Sequence, residues 1–322
     1  MKIYNWGIVG AGRIACSFAK GLQAANNAKL YAIASRELSR AEAFAAEYHV
    51  PHAYGSYQEL AADANIDIVY VAVINHVHFD VVIQMLKAGK AVICEKPMML
   101  NAMDIKIAAD YALRHQLFLM EAMWWKFLPV YRTISKWVDE QRIGDIRIIK
   151  SDFGYGKSYQ GDERQLYPEL GGGALYDVGI YNIALANMFL GEICGISGHA
   201  RKNRKGVDMA STVSLCASNG GLAVSTCSID TPTPWDAWLI GSKGTIHIQD
   251  FWRSTKATLM IQGHDDVVAS APFLANGYEF EAIHVMECLD LGKTESPIMP
   301  LNDSIIIAET IDELLRQYDY GK

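Results

Sequence analysis

Short runs of apolar residues without polar alternation recur through the first third of the chain, and an amphipathic stretch follows each of them. The clearest runs are residues 3–9, 30–34, 68–74 and 91–94. Such runs predict strands that are covered on both faces, as in a parallel sheet, and the amphipathic stretches predict helices. This alternation of strands and helices over about 120 residues predicts a doubly wound parallel sheet.

Beyond residue 190 the pattern changes to runs in which apolar and polar residues alternate. The expected strands are 193–200, 208–217, 222–229, 235–241 and 245–249. Two turn signals, Asn219-Gly220 and Ser242-Lys243-Gly244, join neighbouring strands as hairpins. The pattern predicts an open, mostly antiparallel sheet with helices on one face.

A glycine-containing turn follows the first predicted strand. Gly10, Gly12 and Ala15 form the pattern G-x-G-x-x-A, and Arg13 and Ile14 open the helix after it. The first glycine permits a tight turn, the second lets a pyrophosphate approach backbone N–H groups, and the alanine allows close packing of helix on strand. The N-terminus of the helix stabilises the phosphate charge. The turn therefore predicts a dinucleotide-binding site.

Together these patterns predict an α/β protein with two domains. Residues 1–121 are expected to form a Rossmann domain with a doubly wound parallel sheet. Residues 122–322 are expected to form an α+β domain that contains the large open, mostly antiparallel sheet. The last amphipathic helix is expected to begin at Ile305, with Ser304 as its cap.

The end of the second predicted strand bears on the choice of dinucleotide. An acidic residue there binds the ribose hydroxyls of NAD in many Rossmann domains. This chain instead has Ser35 and Arg36, and a hydroxyl with a guanidinium suits a 2′-phosphate better. NADP is therefore predicted over NAD, although the neighbouring carboxylate of Glu37 leaves NAD open.

Two further strands end in polar residues at what we expect to be the same edge of the sheet. One runs into Asn75 and His78, and the other runs into Glu95 and Lys96. Ligands of open α/β sheets bind at this edge, so all four residues are candidates for contact with the cofactor. The alternative for Asn75 is an Asx-type turn cap. His76 and His78 have no third ligand nearby in sequence, so no metal is expected.

A glycine triplet at 171–173 precedes a predicted helix that carries Asp177 and Tyr181. Their i, i+4 spacing places both side chains on one side of the helix, and Gly179 leaves room there for a ligand. The alternative is an aspartate that complements the helix dipole, together with a buried tyrosine. Residues 155–170 are polar and irregular, which is typical of a mobile loop over a pocket.

Aromatic residues are candidates for the substrate pocket. Trp124, Trp125 and Phe153 suit a sugar face or a cyclic diol. One of the two tryptophans is expected to be a core anchor.

Composition excludes several other classes of function. The net charge of −7 argues against a nucleic-acid surface. No apolar run approaches the roughly 18 residues of a membrane helix, and the N-terminus shows no signal-peptide pattern. The six cysteines include no CxxC pair, which favours reduced thiols in the cytoplasm. A cytoplasmic protein that binds a small molecule is expected.

Three motifs resemble those of the Gfo/Idh/MocA oxidoreductases. They are the glycine pattern at 10–15, Asn-His-x-His at 75–78 and Glu-Lys-Pro at 95–97. Residues 172–181 are similar to the family's GG-x-x-x-D-x-G-x-H segment, with Tyr181 where most members carry histidine. Lys126 stands where arginine is usual. The tyrosine form looks most like the dimeric dihydrodiol dehydrogenase branch.

The resemblance implies hydride transfer between NADP(H) and a carbinol or carbonyl carbon of a sugar, a cyclic diol or a related substrate. Lys96 and Tyr181 are then the catalytic pair, and Asp177 bonds a second substrate hydroxyl or holds Lys96. A homodimer or homotetramer that pairs through the C-terminal sheet is also implied. Two other readings stay open: a non-catalytic NADP-binding sensor or structural subunit, and a lyase or glycosidase-type cycle with a tightly bound nucleotide.

Overall fold

The computed structural model describes residues 2–156 and 163–319, which form two compact units. The first contains the described residues up to Phe127 together with Phe273–Ile305. The second contains Leu128–Pro272, without 157–162, and the described residues from Ile306 onward. The predicted division after residue 121 stays a prediction, and the grouping of 273–305 with the first unit had no signal in the sequence.

The first unit contains a parallel sheet of six strands. The strands are β1 (Tyr4–Val9), β2 (Ala28–Ala34), β3 (His52–Tyr54), β4 (Ile68–Val71), β5 (Ala91–Glu95) and β6 (Leu119–Ala122). Their order is β3-β2-β1-β4-β5-β6, and every neighbouring pair is parallel. The doubly wound sheet predicted from the sequence is confirmed. The strand order reverses between β1 and β4, where open sheets of this kind bind their ligands.

The second unit contains a sheet of eight strands. They are β7 (Ile146–Gly154), β8 (Ile193–Lys202), β9 (Asp208–Ala217), β10 (Leu222–Ser228), β11 (Ala237–Gly241), β12 (Gly244–Ile248), β13 (Lys256–Ile261) and β14 (Val267–Ser270). The order is β14-β13-β12-β11-β7-β10-β9-β8. The pair β7–β10 is parallel and the other pairs are antiparallel, which confirms a mostly antiparallel sheet. Strands β13 and β14 were not predicted.

Both predicted hairpin turns join antiparallel neighbours. The turn at Asn219-Gly220 connects β9 to β10, and the backbone N–H of Gly221 donates to the Asn219 side chain at 2.9 Å. Gly220 has a φ of +84°, which glycine adopts without strain. The turn at residues 242–243 connects β11 to β12.

Nine helices pack on these sheets within the described residues. They are α1 (Arg13–Leu22), α2 (Leu38–Tyr48), α3 (Tyr57–Ala62), α4 (His78–Lys87), α5 (Ala102–Arg114), α6 (Pro129–Asp139), α7 (Ile180–Leu190), α8 (Tyr278–Asp290) and α9 (Leu301–Asp319). None of these helices is long and apolar enough to cross a membrane.

Two serines were predicted to cap helix N-termini, and the structure confirms one of them. Ser56 caps α3 by accepting a hydrogen bond from the N–H of Glu59 at 3.2 Å. Ser304 does not cap α9, and the prediction that it does was wrong. The helix begins earlier because the carbonyl of Pro300 already accepts from the N–H of Asp303 at 2.9 Å. Proline favours this position because its φ is fixed near the helical value.

Candidate active site

The glycine turn of the first unit has the geometry of a phosphate cradle. Gly10 has a φ of +101°, and a Cβ there would lie 2.5 Å from the carbonyl oxygen of Ala72. Only glycine fits this position. A Cβ at Gly12 would meet no atom within 4 Å, so space is open beside the first N–H groups of α1. Arg13 and Ile14 supply those N–H groups, and a pyrophosphate fits here.

Two arginines lie near this turn. Arg36 is exposed after β2, and Ser35 is buried. Arg40 donates from Nη2 to the carbonyl oxygen of Ala11 at 3.3 Å. Burial raises the pKa of the Tyr57 hydroxyl, and the charges of Arg36 and Arg40 lower it, so both guanidinium groups act on the same phenol.

Arg40 was missed in the sequence, although a signal existed. It stands in the first turn of α2, where a cation opposes the helix dipole. A cation in that position suggests an anion nearby. We note that it lies four residues after Arg36, so both arginines belong to the same end of α2.

His78 is fixed by the backbone at two strand ends. It is fully buried at the start of α4. Nδ1 lies 2.9 Å from the carbonyl oxygen of Pro97, and Nε2 lies 3.1 Å from that of Val73. This geometry gives His78 a structural role at the edge of the sheet, and direct contact with the cofactor stays a prediction. Asn75 opens a 3₁₀ turn at this edge.

Lys96 follows β5 and is partly exposed. Its backbone N–H donates to Glu95 Oε2 at 3.1 Å, and the Tyr70 hydroxyl donates to Glu95 Oε1. Burial raises the pKa of the Glu95 carboxyl, and the bond from Tyr70 and the charge of Lys96 oppose the rise. The carboxyl of Glu95 is thus held by protein groups, and its predicted contact with the cofactor stays a prediction.

Two further buried carboxyl groups lie near this strand end, and sequence reasoning missed both. Glu121 on β6 accepts from the N–H of Met98 at 2.9 Å. Burial raises the pKa of Glu121, and the charge of Lys96 is among the opposing effects. Burial, followed by the charge of Glu95, raises the pKa of Glu281 on α8. The charges of Lys126 and Lys96 therefore both act on this buried acidic region.

The two predicted pocket tryptophans are buried. Trp125 is 0% exposed, and the Trp124 ring stacks on Tyr278 with 4.6 Å between centroids. Both have the burial of core residues, and contact of either with a substrate stays a prediction. Lys126 beside them donates to Asp303 Oδ2 at 2.8 Å with its side chain 2% exposed. It therefore holds a carboxylate as a point charge.

In the second unit, Asp177 lies in a π-helical turn over Leu175–Gly179, which continues into α7. Single π turns of this kind are frequent at functional sites. The Tyr155 hydroxyl donates to Asp177 Oδ2. Gln165 Nε2 lies 2.6 Å from both Asp177 Oδ2 and the Tyr155 oxygen. Burial and the Asp177 charge raise the pKa of Tyr155, which therefore stays a hydrogen-bond donor.

An aromatic cluster surrounds Tyr181, which is 5% exposed on α7. The Phe153 ring meets Tyr181 edge-on at 5.3 Å and stacks on Trp252 at 4.8 Å. Trp235 meets Trp252 edge-on at 5.8 Å, and the Arg253 guanidinium lies over both indoles at 5.2 and 5.0 Å. We call Phe153, Tyr181, Trp235 and Trp252 the aromatic cluster. Neither tryptophan was predicted as a pocket residue. Trp235 was expected to begin a strand over 235–241, which instead begins at Ala237, and Trp252 lies in a short 3₁₀ turn that carries no periodic pattern.

Asp208 on β9 fixes the start of the helix. It is 3% exposed and accepts from the N–H of Leu175 at 2.7 Å and from Ser211 Oγ at 3.1 Å. Burial raises the pKa of Asp208 to about 6, and these hydrogen bonds oppose the rise. Gly173 has a φ of +117°, and a Cβ there would overlap Asp208 Oδ1. Gly173 of the glycine triplet thus lets the backbone pass close to the buried carboxylate of Asp208.

Two short 3₁₀ turns lie within the segment predicted as a mobile loop over a pocket, and its mobility stays a prediction. They span Glu163–Leu166 and Pro168–Leu170. Residues 157–162 of the segment lie outside the described residues. Within the part of the chain that the structure describes, no three His, Cys, Asp or Glu side chains are grouped so that they could hold a metal ion.

Comparison with known proteins identifies the family of both units. Residues 4–123 match the GFO_IDH_MocA model, described as an oxidoreductase family with an NAD-binding Rossmann fold. Residues 131–247 match the GFO/IDH/MocA C-terminal domain. The chain is 37% identical over 325 residues to a Xenopus tropicalis protein named trans-1,2-dihydrobenzene-1,2-diol dehydrogenase, with 97% of each chain covered. The Mus musculus protein of that name is 37% identical and covers 96% of this chain and 95% of its own.

Solved structures share the fold. A 3-ketoreductase from Actinomadura kijaniata, in complex with NADP and TDP-benzene, has a TM-score of 0.87 at 25% identity, with 98% of both chains covered. Levoglucosan dehydrogenase, in complex with NADH and levoglucosan, has a TM-score of 0.90 at 17% identity, with 99% of this chain and 98% of its own covered. The two family models, together with the relative that is 37% identical along nearly the whole sequence, confirm the predicted resemblance. The chain is a member of the Gfo/Idh/MocA family of oxidoreductases.

Proposed function

We propose that the protein is an NADP-dependent dehydrogenase or reductase that acts on a carbinol or carbonyl carbon of a cyclic diol, a sugar or a related molecule. The observation that carries the proposal is the similarity along the whole chain to proteins named trans-1,2-dihydrobenzene-1,2-diol dehydrogenase. The aromatic cluster supports a ring-shaped substrate, because apolar ring faces pack on aromatic side chains.

NADP is proposed over NAD because of the arginines near the glycine turn. Arg40 reaches the carbonyl of Ala11 in that turn, and Arg36 acts on the same phenol as Arg40. Guanidinium groups bind phosphates through paired, charge-assisted hydrogen bonds. This pair therefore suits the 2′-phosphate that distinguishes NADP from NAD.

The proposed division of labour uses three side chains. When bound, NADP(H) accepts or supplies the hydride. The protein must hold the carbinol carbon and exchange the hydroxyl proton. Tyr181 is the proposed acid and base, and Lys96 is proposed to orient the substrate oxygen. The chemistry also allows the reverse assignment, in which Lys96 transfers the proton and Tyr181 orients the substrate oxygen. Asp177 binds a second hydroxyl of the substrate or holds Lys96.

The first test is an absorbance assay at the nicotinamide band. Cyclic trans-diols, pentoses, hexoses and anhydro-sugars are offered with NADP and with NAD. We expect turnover with at least one class and a lower KM for NADP.

A double Arg36→Ala, Arg40→Ala variant should raise the KM for NADP by about 10-fold or more, since charge-assisted bonds are lost, and should leave the KM for NAD unchanged. Arg114→Ala, on the exposed face of α5, is the control. A wild-type preference for NAD contradicts the cofactor assignment.

A second copy of the chain is proposed to cover the outer face of the eight-stranded sheet. Alternate residues of β9 and β10 are buried and exposed, and Leu222 and Val224 remain 46% and 47% exposed on β10. Apolar residues in mid-sheet suit a homodimer or homotetramer interface. Light scattering at micromolar concentration should show an oligomer, and Val224→Lys should weaken it. A wild-type monomer contradicts this assignment.

A further inference from the structure

The orientation of the Gln165 amide is determined by its neighbours. The side chain is 7% exposed, and one polar atom lies 2.6 Å from both Asp177 Oδ2 and the Tyr155 oxygen. An ionised carboxylate only accepts hydrogen bonds, so the atom facing it must be the nitrogen, Nε2. Its two N–H groups are then both used, one on Asp177 and one on Tyr155.

This arrangement leaves one acceptor without a donor. Gln165 Oε1 is buried and has no hydrogen-bond partner among the described residues. Buried carbonyl oxygens nearly always have a partner, because an unpaired one has lost its hydration without compensation. Other buried polar atoms of the described residues also lack a partner, but Gln165 Oε1 is the one whose amide bonds both Tyr155 and Asp177. A bound molecule that donates a hydrogen bond to it is the simplest explanation.

Of the described side chains bonded to Gln165, neither Tyr155 nor Asp177 can supply that hydrogen. The Tyr155 hydroxyl already donates to Asp177, and an ionised Asp177 has no hydrogen to give. The Phe153 ring lies 6.5 Å from the Tyr155 ring and 5.3 Å from the Tyr181 ring, so Tyr155 links the Gln165 amide to the aromatic cluster. A donor that arrives with a ring-shaped ligand is a hydroxyl group.

We propose that Gln165 is a specificity-determining residue whose Oε1 accepts a hydrogen bond from a second hydroxyl of the substrate. A hydroxyl has one hydrogen to donate, so in this inference Gln165 takes the place proposed above for Asp177, and Asp177 orients the Gln165 amide. The inference rests on the proposed function, in which the carbinol carbon gives its hydride to the nicotinamide and the first hydroxyl, on that carbon, gives its proton to the protein. The site then selects diols and polyols over mono-alcohols. Tyr155 acts differently, because it positions Asp177 and keeps no donor for the substrate.

The experiment compares three substrates of one shape class on the full-length protein. They are trans-cyclohexane-1,2-diol, its mono-methyl ether trans-2-methoxycyclohexanol, and cyclohexanol. The ether keeps the second oxygen but cannot donate a hydrogen bond. We expect wild-type kcat/KM to fall by about 10- to 100-fold from the diol to either mono-alcohol, the usual cost of leaving a buried polar group unpaired.

Variants assign this preference to one side chain. Gln165→Met preserves length and removes the acceptor, so the diol should lose about 10- to 100-fold more kcat/KM than cyclohexanol. Tyr155→Phe should lower kcat/KM for all three substrates by a similar factor. Gln262→Met, at an exposed glutamine of the same unit, is the control for the substitution. Equal losses for diol and cyclohexanol in Gln165→Met overturn the proposal, as does a wild type that accepts the ether as well as the diol.

Equilibrium binding separates this proposal from the proposed function. Quenching of tryptophan fluorescence, to which Trp235 and Trp252 of the cluster contribute among the seven tryptophans of the chain, measures affinity without turnover. If the wild type turns over none of the three substrates but binds the diol more tightly than the ether, and Gln165→Met abolishes the difference, the proposed reaction fails and the role of Gln165 stands. Equal affinity for diol and ether overturns the role of Gln165, since a buried water would then satisfy Oε1.

Discussion

Lys96 and Tyr181 are held in place in different ways. Lys96 follows a strand whose residues pair with β4 on one side and β6 on the other, and its N–H bonds the adjacent residue Glu95. The helix of Tyr181 begins in a π turn that Asp208, 33 residues beyond Leu175, fixes by a hydrogen bond. One position is set by neighbouring strands and local sequence, and the other by contacts between distant parts of the chain.

The difference has a physical origin in backbone hydrogen bonding. The interior strand β5 satisfies its N–H and C=O groups by pairing with its two neighbouring strands. This pairing alone fixes the position of the strand's end, and therefore of Lys96. The first N–H groups of a helix have no partner within the helix and need an external acceptor. Here that acceptor is a buried carboxylate, and the hydroxyl of Tyr155 and the amide of Gln165 order the next turn through Asp177.

The largest expected effect concerns the two residues themselves. If the proposed roles hold, Lys96→Met and Tyr181→Phe should each lower kcat by about 10²-fold or more, the usual contribution of a proton-transfer group. Binding of NADPH, measured by fluorescence, should be retained in Tyr181→Phe. Steady-state kinetics with the best substrate of the panel is the measurement.

Control variants make that comparison specific. Lys87→Met and Tyr31→Phe change the same residue types in the first unit, at an exposed and a partly exposed position, and should keep wild-type kcat. Near-normal turnover in both Lys96→Met and Tyr181→Phe would remove the proposed pair. A loss in only one of them would assign the proton transfer to that residue.

The comparison also explains how much was predictable. The parallel sheet, the glycine turn and the position of Lys96 follow from apolar runs and a local motif, which are properties of consecutive residues. The spacing of Asp177 and Tyr181 indicated a shared helix, but nothing near them in sequence identifies Asp208 or Gln165 as their partners. The return of 273–305 to the first unit, with Glu281 buried near Glu95, depends equally on packing between distant segments. Side-chain partners across such distances leave no periodic signal in one sequence.

The buried carboxyl of Asp208, at the start of the helix that carries Tyr181, should make the stability of the protein depend on pH. Burial raises the pKa of Asp208 from its ordinary 3.8 to about 6. Between these values the folded state keeps a proton that the unfolded state has lost, so the free energy of unfolding falls as pH rises from about 4 to above 6. A shift of this size corresponds to about 3 kcal/mol. Asp208→Asn keeps an acceptor for Leu175 and abolishes this titration.

Urea unfolding at a series of pH values tests it. The difference in unfolding free energy between Asp208→Asn and wild type should move in favour of the variant by about 2 kcal/mol from pH 4 to pH 7, because the unfolded state has already lost part of its protons at pH 4. Asp265→Asn, at an exposed position, should show little change across that range. A constant difference for Asp208→Asn would mean that Asp208 titrates normally in the folded protein. The start of the helix would then be held without the cost of a buried charge.

The smallest expected effect concerns the glycine that lets Asp208 reach the helix. Gly173→Ala meets two penalties, a φ of +117° and an overlap of the new Cβ with Asp208 Oδ1, and should lower the free energy of unfolding by about 2–3 kcal/mol. Gly206→Ala is the matched control, because Gly206 has a φ of +89° and nothing within 4 Å of a Cβ. It should cost only the backbone term, about 1 kcal/mol.

Equal costs in the two variants would show that the carboxylate moves aside freely, and the helix of Tyr181 would then not depend on the placement of Asp208. A larger cost at Gly173, relieved when Asp208→Ala is added, would establish that the two residues act as a pair.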